Sequence, residues 1–121
     1  MKWKLRHFCV CFLLLIMILQ ILCSLTSDEF AKIIFATFEG RAFAKGTSNY
    51  EERRLVHNGL CKDIYPDWII VPESPEDVAS IIKITNTYQV PISVRSGGHS
   101  FTCSSTRQGK TLLIQATSNI F

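Results

Sequence analysis

The stretch RSGGHSF at residues 95–101 places two adjacent glycines directly before a histidine. Glycine adopts positive φ at little steric cost, so Gly97 and Gly98 can form a tight turn with inward-pointing amides. Such amides form a nest for anions, and the missing side chains let a phosphate approach the backbone. Neighbouring residues add hydroxyl donors and charge, namely Ser96, Ser100 and Arg95. The stretch therefore predicts a phosphate or pyrophosphate cradle, although two glycines can also serve only to turn a chain.

Other motifs for catalysis or ligand binding do not occur in the sequence. RSGGHS matches neither the GxGxxG dinucleotide fingerprint nor the GxxxxGK[ST] nucleotide-binding loop, and no GxSxG elbow is present. The histidines and the two later cysteines lack the spacing of a zinc site: His7, His57, His99, Cys61 and Cys103. We therefore predict no metal site and assign no catalytic residue. His57 precedes a turn and is interpreted as a surface or capping residue.

A strand, a helix and a second strand precede the glycine turn. Residues 68–71 are apolar and predict the first strand, and residues 92–95 predict the second. Between them, Ser74 is a helix N-cap, Pro75 takes the first helical position and Asp77 completes a capping box. This βαβ pattern predicts an α/β (α+β) fold in which the two strands are parallel neighbours. A third strand is predicted at residues 111–115. The glycine turn then lies at the carboxyl end of a strand, where such sheets bind ligands.

The segment before the βαβ unit divides into a helix and a polar connection. Thr26 is a possible N-cap and Gly40 a natural end, and apolar residues recur between them at helical spacing. Residues 41–67 predict a loop, apart from a short helical turn near residues 50–56.

The first 27 residues have the features of a targeting segment. Lys2, Lys4 and Arg6 form a positive start, and residues 8–23 are apolar except for Gln20. This run is shorter than the roughly 20 residues that span a bilayer comfortably. We therefore predict a signal peptide over residues 1–27 and a secreted protein. An uncleaved signal anchor is the alternative. The chain would be attached to a membrane only in that case.

Charge and cysteine content are informative once this leader is set apart. Three of the 13 Lys and Arg residues lie in the leader and all 10 acidic residues lie beyond it, so the remainder is neutral. This zero net charge gives no basic surface for a nucleic acid, so we expect no nucleic-acid partner. Cys61 and Cys103 remain outside the leader, and an oxidising compartment permits one disulfide between them. Two unrelated buried thiols, or partners outside this chain, remain alternatives.

From about residue 50 to residue 113, the sequence resembles the start of an FAD-linked oxidase of the berberine-bridge-enzyme type, within the vanillyl-alcohol oxidase superfamily. The resemblance rests on NYEERRLVHNG followed by YPDWIIVPESPEDVASIIKITNTYQVPISVRSGGHSF. It implies that residues 61–121 form the N-terminal part of a PCMH-type FAD-binding domain, after a helix and polar connection at residues 28–60.

The resemblance also implies a cofactor and roles for the glycine loop. The cofactor would be FAD, and residues 95–101 would wrap its pyrophosphate: Arg95, Ser96, Gly97, Gly98, His99, Ser100 and Phe101. His99 would carry the flavin covalently through its 8α-methyl group. A complete protein would be an oxidoreductase that acts on a small-molecule substrate.

The sequence departs from the family pattern after the third predicted strand. The chain continues with Gln115 and ATSNIF, and it contains no second flavin-linking cysteine, substrate domain or catalytic base. We therefore expect a truncated product. A catalytically inactive secreted or membrane-tethered fragment, with a binding role or none, is the alternative function.

Overall fold

The computed structural model describes residues 2–117, with side chains from His7 onward. The elements in chain order are α1 Lys2–Thr37, β1 Ala42–Ala44, α2 Tyr50–Arg54, a 3-10 turn at Gly59–Cys61, β2 Pro66–Ile70, α3 Pro75–Tyr88, β3 Ile92–Arg95 and β4 Gly109–Gln115. The predicted α/β (α+β) class is confirmed. The outer limits of the predicted segments, residues 1 and 121, lie outside the described residues.

The four strands form one mixed sheet in the order β1-β2-β4-β3. β1 pairs antiparallel with β2, whereas β2 and β3 both run parallel to β4. The prediction that β2 and β3 are neighbours is wrong, because β4 lies between them. β4 is buried from Thr111 to Ile114, whereas alternate residues of β3 are exposed. The more continuously apolar strand takes the interior position, since an interior parallel strand is covered on both faces.

The two faces of the sheet carry separate apolar clusters. On one face, α1 and α3 pack against the strands through a cluster centred on Phe30, Ile34, Trp68, Ile81 and Leu112. On the other face, Tyr50 of α2 packs with Phe43, Ile69 and Leu113. α2 is therefore attached to the sheet face opposite the two long helices, and the chain between α2 and β2 passes beside the end of β3.

α1 is one continuous helix, so the prediction that a new helix begins at Thr26 is wrong. Thr26 lies inside α1 and its Oγ1 donates to the carbonyl oxygen of Cys23 at 3.0 Å. The apolar run before Thr26 is itself helical, and no glycine or proline between Cys23 and Phe30 ends it. Phe30 and Ile34 are fully buried, whereas the apolar side chains from Phe8 to Leu25 are exposed.

Among the described residues, one helix is long and apolar enough to cross a membrane. This stretch is His7–Thr37, with a mean hydropathy of 2.8 and a position near the N-terminus. A signal sequence and a membrane-spanning helix both have these properties. The apolar helix therefore fits a signal peptide.

The N-terminus of α3 has the predicted cap. Ser74 Oγ accepts from the backbone N–H of Asp77 at 3.1 Å, and Pro75 occupies the first turn. Asp77 also accepts from the backbone N–H of Glu73 at 2.9 Å and from the guanidinium of Arg41. These contacts, with the Glu73 amide first, lower the pKa of the Asp77 carboxyl below its ordinary value. The cap thus joins α3 to the segment that leads into β1.

Candidate functional site

The glycine loop begins where β3 ends, at Arg95. Gly98 adopts a φ of +73°, which side-chain-bearing residues rarely adopt. Gly97 is not among the positive-φ residues, so only Gly98 meets the conformational expectation from the sequence. Gly97 has a different requirement. A Cβ there would lie 2.7 Å from Cδ2 of His99, so the absent side chain makes room for the imidazole.

A cleft of about 360 Å³ lies over this loop, between α2 and the ends of β3 and β4. Its wall on the loop side is formed by Arg95, Ser96, Gly97 and Gly98. The opposite wall comes from the α2 region and the end of β4, through Asn49, Glu52, Arg53, Leu55, His57 and Gln115. Glu52 and Arg53 bring opposite charges to this wall.

Arg95 is almost completely buried, with 3% of its surface exposed. Its Nη1 donates to the carbonyl oxygen of Arg54 at 2.9 Å, and its Nη2 donates to that of Arg53 and, at 3.4 Å, to Oε1 of Gln115. Burial lowers the pKa of the Arg95 guanidinium. In this structure the charge therefore stabilises the carboxyl end of α2, where helix carbonyls lack intrahelical donors.

His99 lies at the edge of a second cleft, of about 370 Å³, with His57, Asn58, Gly59 and Phe101. Its exposed imidazole stacks on that of His57, with ring centroids 4.3 Å apart and planes inclined by 28°. His57 lines both clefts. The two predicted halves of the site, cradle and histidine, are thus adjacent but open into different clefts.

The last two predicted residues of the loop are on the surface. Ser100 Oγ lies 3.3 Å from Oγ1 of Thr102 and 3.3 Å from Oγ of Ser104, within an exposed group of hydroxyls. Phe101 is 91% exposed and lines the second cleft. Neither residue lines the cleft over the glycines.

Cys61 and Cys103 form a disulfide in this structure, with Cα atoms 5.6 Å apart. The 3-10 turn that contains Cys61 begins after Asn58, whose Oδ1 accepts from the N–H of Leu60 at 3.0 Å. The Nδ2 of Asn58 donates to the carbonyl oxygen of Phe101 at 2.9 Å. The turn is therefore joined to the glycine loop by one covalent bond and one hydrogen bond.

Sequence reasoning missed the contribution of the α2 region to the site. It interpreted His57 as an isolated surface or capping residue and assigned no function to Asn49, Glu52 or Arg53. These residues lie 38 to 46 positions before Arg95, where the glycine loop begins, and no local pattern joins them to it. The signal that could have indicated them is the family resemblance, which already included NYEERRLVHNG. Within residues 2–117, no group of three or more His, Cys, Asp or Glu side chains could hold a metal.

Residues 66–120 match the family described as FAD binding domain. Among solved structures, Physcomitrella patens BBE-like 1 is 24% identical with a TM-score of 0.61, over 73% of this chain and 19% of that one. The 6-hydroxy-D-nicotine oxidase from Arthrobacter nicotinovorans is 26% identical with a TM-score of 0.56, over 64% of this chain and 17% of that one. Phl p 4.0202, a glucose dehydrogenase, is 25% identical with a TM-score of 0.57, over 64% of this chain and 17% of that one.

The chain thus spans about a fifth of the length of these solved structures. No curated protein sequence matches it. The family match begins at Pro66, the first residue of β2, and includes α3, β3, the glycine loop and β4. Residues 66–120 therefore correspond to part of a PCMH-type FAD-binding domain, and the chain resembles the FAD-linked oxidases of the berberine-bridge-enzyme type.

Proposed function

We propose that this chain forms the part of an FAD-dependent oxidoreductase that holds the FAD pyrophosphate on the loop at residues 95–101. The observation that carries the proposal is the cleft over Gly97 and Gly98 at the carboxyl end of β3. The positive φ of Gly98 excludes most side chains, and donors suited to a diphosphate lie in the same wall. The family match over residues 66–120 supports FAD as the ligand.

The residues of the loop would have distinct roles. Amides of Gly97 and Gly98 and the hydroxyl of Ser96 would donate to phosphate oxygens, while buried Arg95 keeps α2 against the loop. FAD held on this loop would supply the chemistry of hydride acceptance from a small-molecule substrate, with an acceptor such as O₂ for the electrons. His99 would be the residue that holds the flavin covalently, through an imidazole nitrogen, which would prevent dissociation of the cofactor.

The cradle can be tested with adenosine diphosphate, which has the pyrophosphate but lacks the flavin ring. Titration of the isotope-labelled chain with adenosine diphosphate should shift the backbone amide NMR signals of residues 96–100 more than those of other residues. The Gly98→Val variant should lose these shifts, because a β-branched residue tolerates neither the positive φ nor close approach of a phosphate. Shifts confined to other parts of the chain would contradict the proposal.

The covalent role of His99 can be tested in a completed version, in which this chain is fused to the downstream flavin and substrate domains of a relative. His99→Ala should leave the bound flavin extractable by acid precipitation, whereas the unmodified version should keep its yellow colour in the pellet. The variant should still fold, since His99 is exposed and the amides of the cradle remain. Release of all colour from the unmodified version would exclude His99 as the attachment point.

We also propose that the leader directs the chain into the secretory pathway and is removed between residues 23 and 27. The apolar helix near the N-terminus and its exposed side chains support this assignment. N-terminal sequencing of the secreted chain should begin within or just after this window. An intact Met1 on a membrane-bound chain would indicate a signal anchor instead.

A further inference from the structure

Three contacts join the segment at residues 57–61 to the glycine loop, and we refer to them together as the clasp. They are the Cys61–Cys103 disulfide, the hydrogen bond from Asn58 to the Phe101 carbonyl, and the stacking of His57 on His99. The first two join residues that follow His57 in the chain to residues that follow His99. The clasp therefore fixes where His57 lies relative to His99 before any ligand is present.

Of the three contacts, the stack is the one that touches the side chain of His99, for which a chemical role is proposed. An exposed imidazole on a glycine-rich loop would ordinarily sample several rotamers. Here the ring of His99 is restricted by the ring of His57, with centroids 4.3 Å apart. Because aromatic pairs at this separation attract each other beyond simple burial, the pair holds one orientation of His99.

From this geometry we infer that His57 is a positioning residue for His99. Its ring keeps the imidazole of His99 at the mouth of the second cleft, and the disulfide and Asn58 hold His57 in place. The inference rests on the proposed function of His99 as the flavin attachment residue. His57 itself needs no bond to the flavin, since it acts through the orientation of its neighbour.

The inference can be tested without flavin, using diethyl pyrocarbonate on the 121-residue chain. The reagent acylates a nitrogen lone pair of imidazole, the group that attachment would use. Peptide mapping gives the rate at His99 separately from the rates at His57 and His7. The rate at His99 therefore measures how often its ring leaves the stacked position. His57→Ala should raise this rate by about two- to tenfold, the factor expected from losing one aromatic pair.

Two further variants distinguish positioning from a general effect on the loop. His57→Phe should restore the slow rate, because a phenyl ring stacks in the same place. Phe101→Ala removes a ring that lines the same cleft and is 91% exposed, and it should leave the rate at His99 unchanged. The Cys61→Ser, Cys103→Ser double variant should accelerate the reaction although His57 is still present, because the clasp is broken.

Equal rates in the unmodified chain and His57→Ala would overturn the inference, and so would an equal rise in Phe101→Ala. A second measurement tests the stack of His57 on His99 in the unmodified chain alone. Nuclear Overhauser contacts between the ring protons of His57 and His99 should be present in the unmodified chain, and their absence would refute the stack. Because neither measurement uses flavin, failure here is distinct from a failure of His99 to carry the cofactor in the completed version.

Discussion

The two glycines of the loop are required for different reasons. Gly98 has a φ of +73°, and its nearest neighbours would leave ordinary space for a Cβ, at 3.7 Å from the side chains of Arg95 and Val56. Its constraint is therefore the backbone conformation. Gly97 has an ordinary φ, but its Cβ would overlap the imidazole of His99. Its constraint is therefore the space that the imidazole occupies.

This difference predicts different consequences for substitution at the two glycines. Gly98→Val should lower the free energy of unfolding by about 2 kcal/mol, because a β-branched residue is strained at positive φ. Gly97→Ala should change stability little, since the exposed ring of His99 can move away, but that ring should leave its stacked position. Urea denaturation measures the first effect, and the diethyl pyrocarbonate rate at His99 measures the second. Equal losses of stability at both positions would contradict this distinction.

At this scale, local sequence predicted the loop but not the contacts around it. Adjacent glycines at the end of a strand indicate a turn, because the conformational freedom of glycine is a property of the residue. The stack of His57 on His99 depends on how the chain folds across the 41 intervening positions, and no periodicity encodes it. The engagement of Arg95 with the carbonyl groups of α2 was missed for the same reason, so its charge was assigned to the ligand alone.

Among the elements, α2 is short but firmly attached to the sheet. Tyr50 is fully buried and its hydroxyl donates to the carbonyl oxygen of Pro66 in β2. Arg54, at the other end of α2, donates to the carboxylate of Glu51 and to the carbonyl oxygen of Lys62. A helix of five residues has little stability of its own, so these tertiary contacts determine the position of the cleft wall.

The burial of Tyr50 makes stability sensitive to alkaline pH. Desolvation raises the pKa of the Tyr50 phenol from 10.0 to about 12. The unfolded chain therefore releases this proton near pH 10 while the folded chain retains it. The stabilising contribution is complete below pH 10 and is lost as pH rises toward 12.

Urea denaturation between pH 9 and 11.5 should show a steep loss of stability in the unmodified chain and a shallower loss in Tyr50→Phe. Some slope will remain in the variant, since burial and the nearby Glu29 also raise the pKa of Tyr88. Parallel pH dependence in the two proteins would mean that Tyr50 is ionised in the folded state. The variant should be less stable at neutral pH, because the hydrogen bond to Pro66 is missing.

The elements differ in how far local sequence could predict them. The Ser74 cap and the position of Pro75 were predicted correctly, because both depend on one turn of sequence. The Asp77 carboxylate accepts from the N–H of Glu73 rather than from that of Ser74, which the predicted capping box requires. β1 was missed, since a three-residue strand acquires its structure from pairing with β2 rather than from its own pattern. Strand order was wrong because the βαβ rule fixes direction and handedness, whereas insertion of β4 depends on a later part of the chain.

For the whole molecule, the disulfide compensates for a small core. It closes a loop across 42 positions that includes β2, α3 and β3, and in the chain-entropy description such a loop contributes on the order of 4 kcal/mol. The same bond links the segment of His57 to the glycine loop. Stability of the domain and placement of the candidate site therefore share one covalent contact.

The openness of the second cleft limits the affinity expected for the complete cofactor. Phe101, which lines this cleft with His99, is 91% exposed, so little of the described surface could enclose a flavin ring. Ligand sites that bind tightly bury most of the ligand, whereas the glycine cleft offers polar contacts to one part of FAD. The chain also spans only about a fifth of the solved structures it resembles.

We therefore expect the 121-residue chain to bind free FAD with a dissociation constant weaker than about 100 µM, little tighter than adenosine diphosphate. Quenching of FAD fluorescence measures this value, and Gly98→Val provides the control in which the cradle itself is removed. A dissociation constant of a few micromolar that Gly98→Val abolishes would mean that the described clefts already enclose the flavin. The exposed ring of Phe101 would then be the first residue to examine, because stacking on it would be the simplest source of the additional affinity.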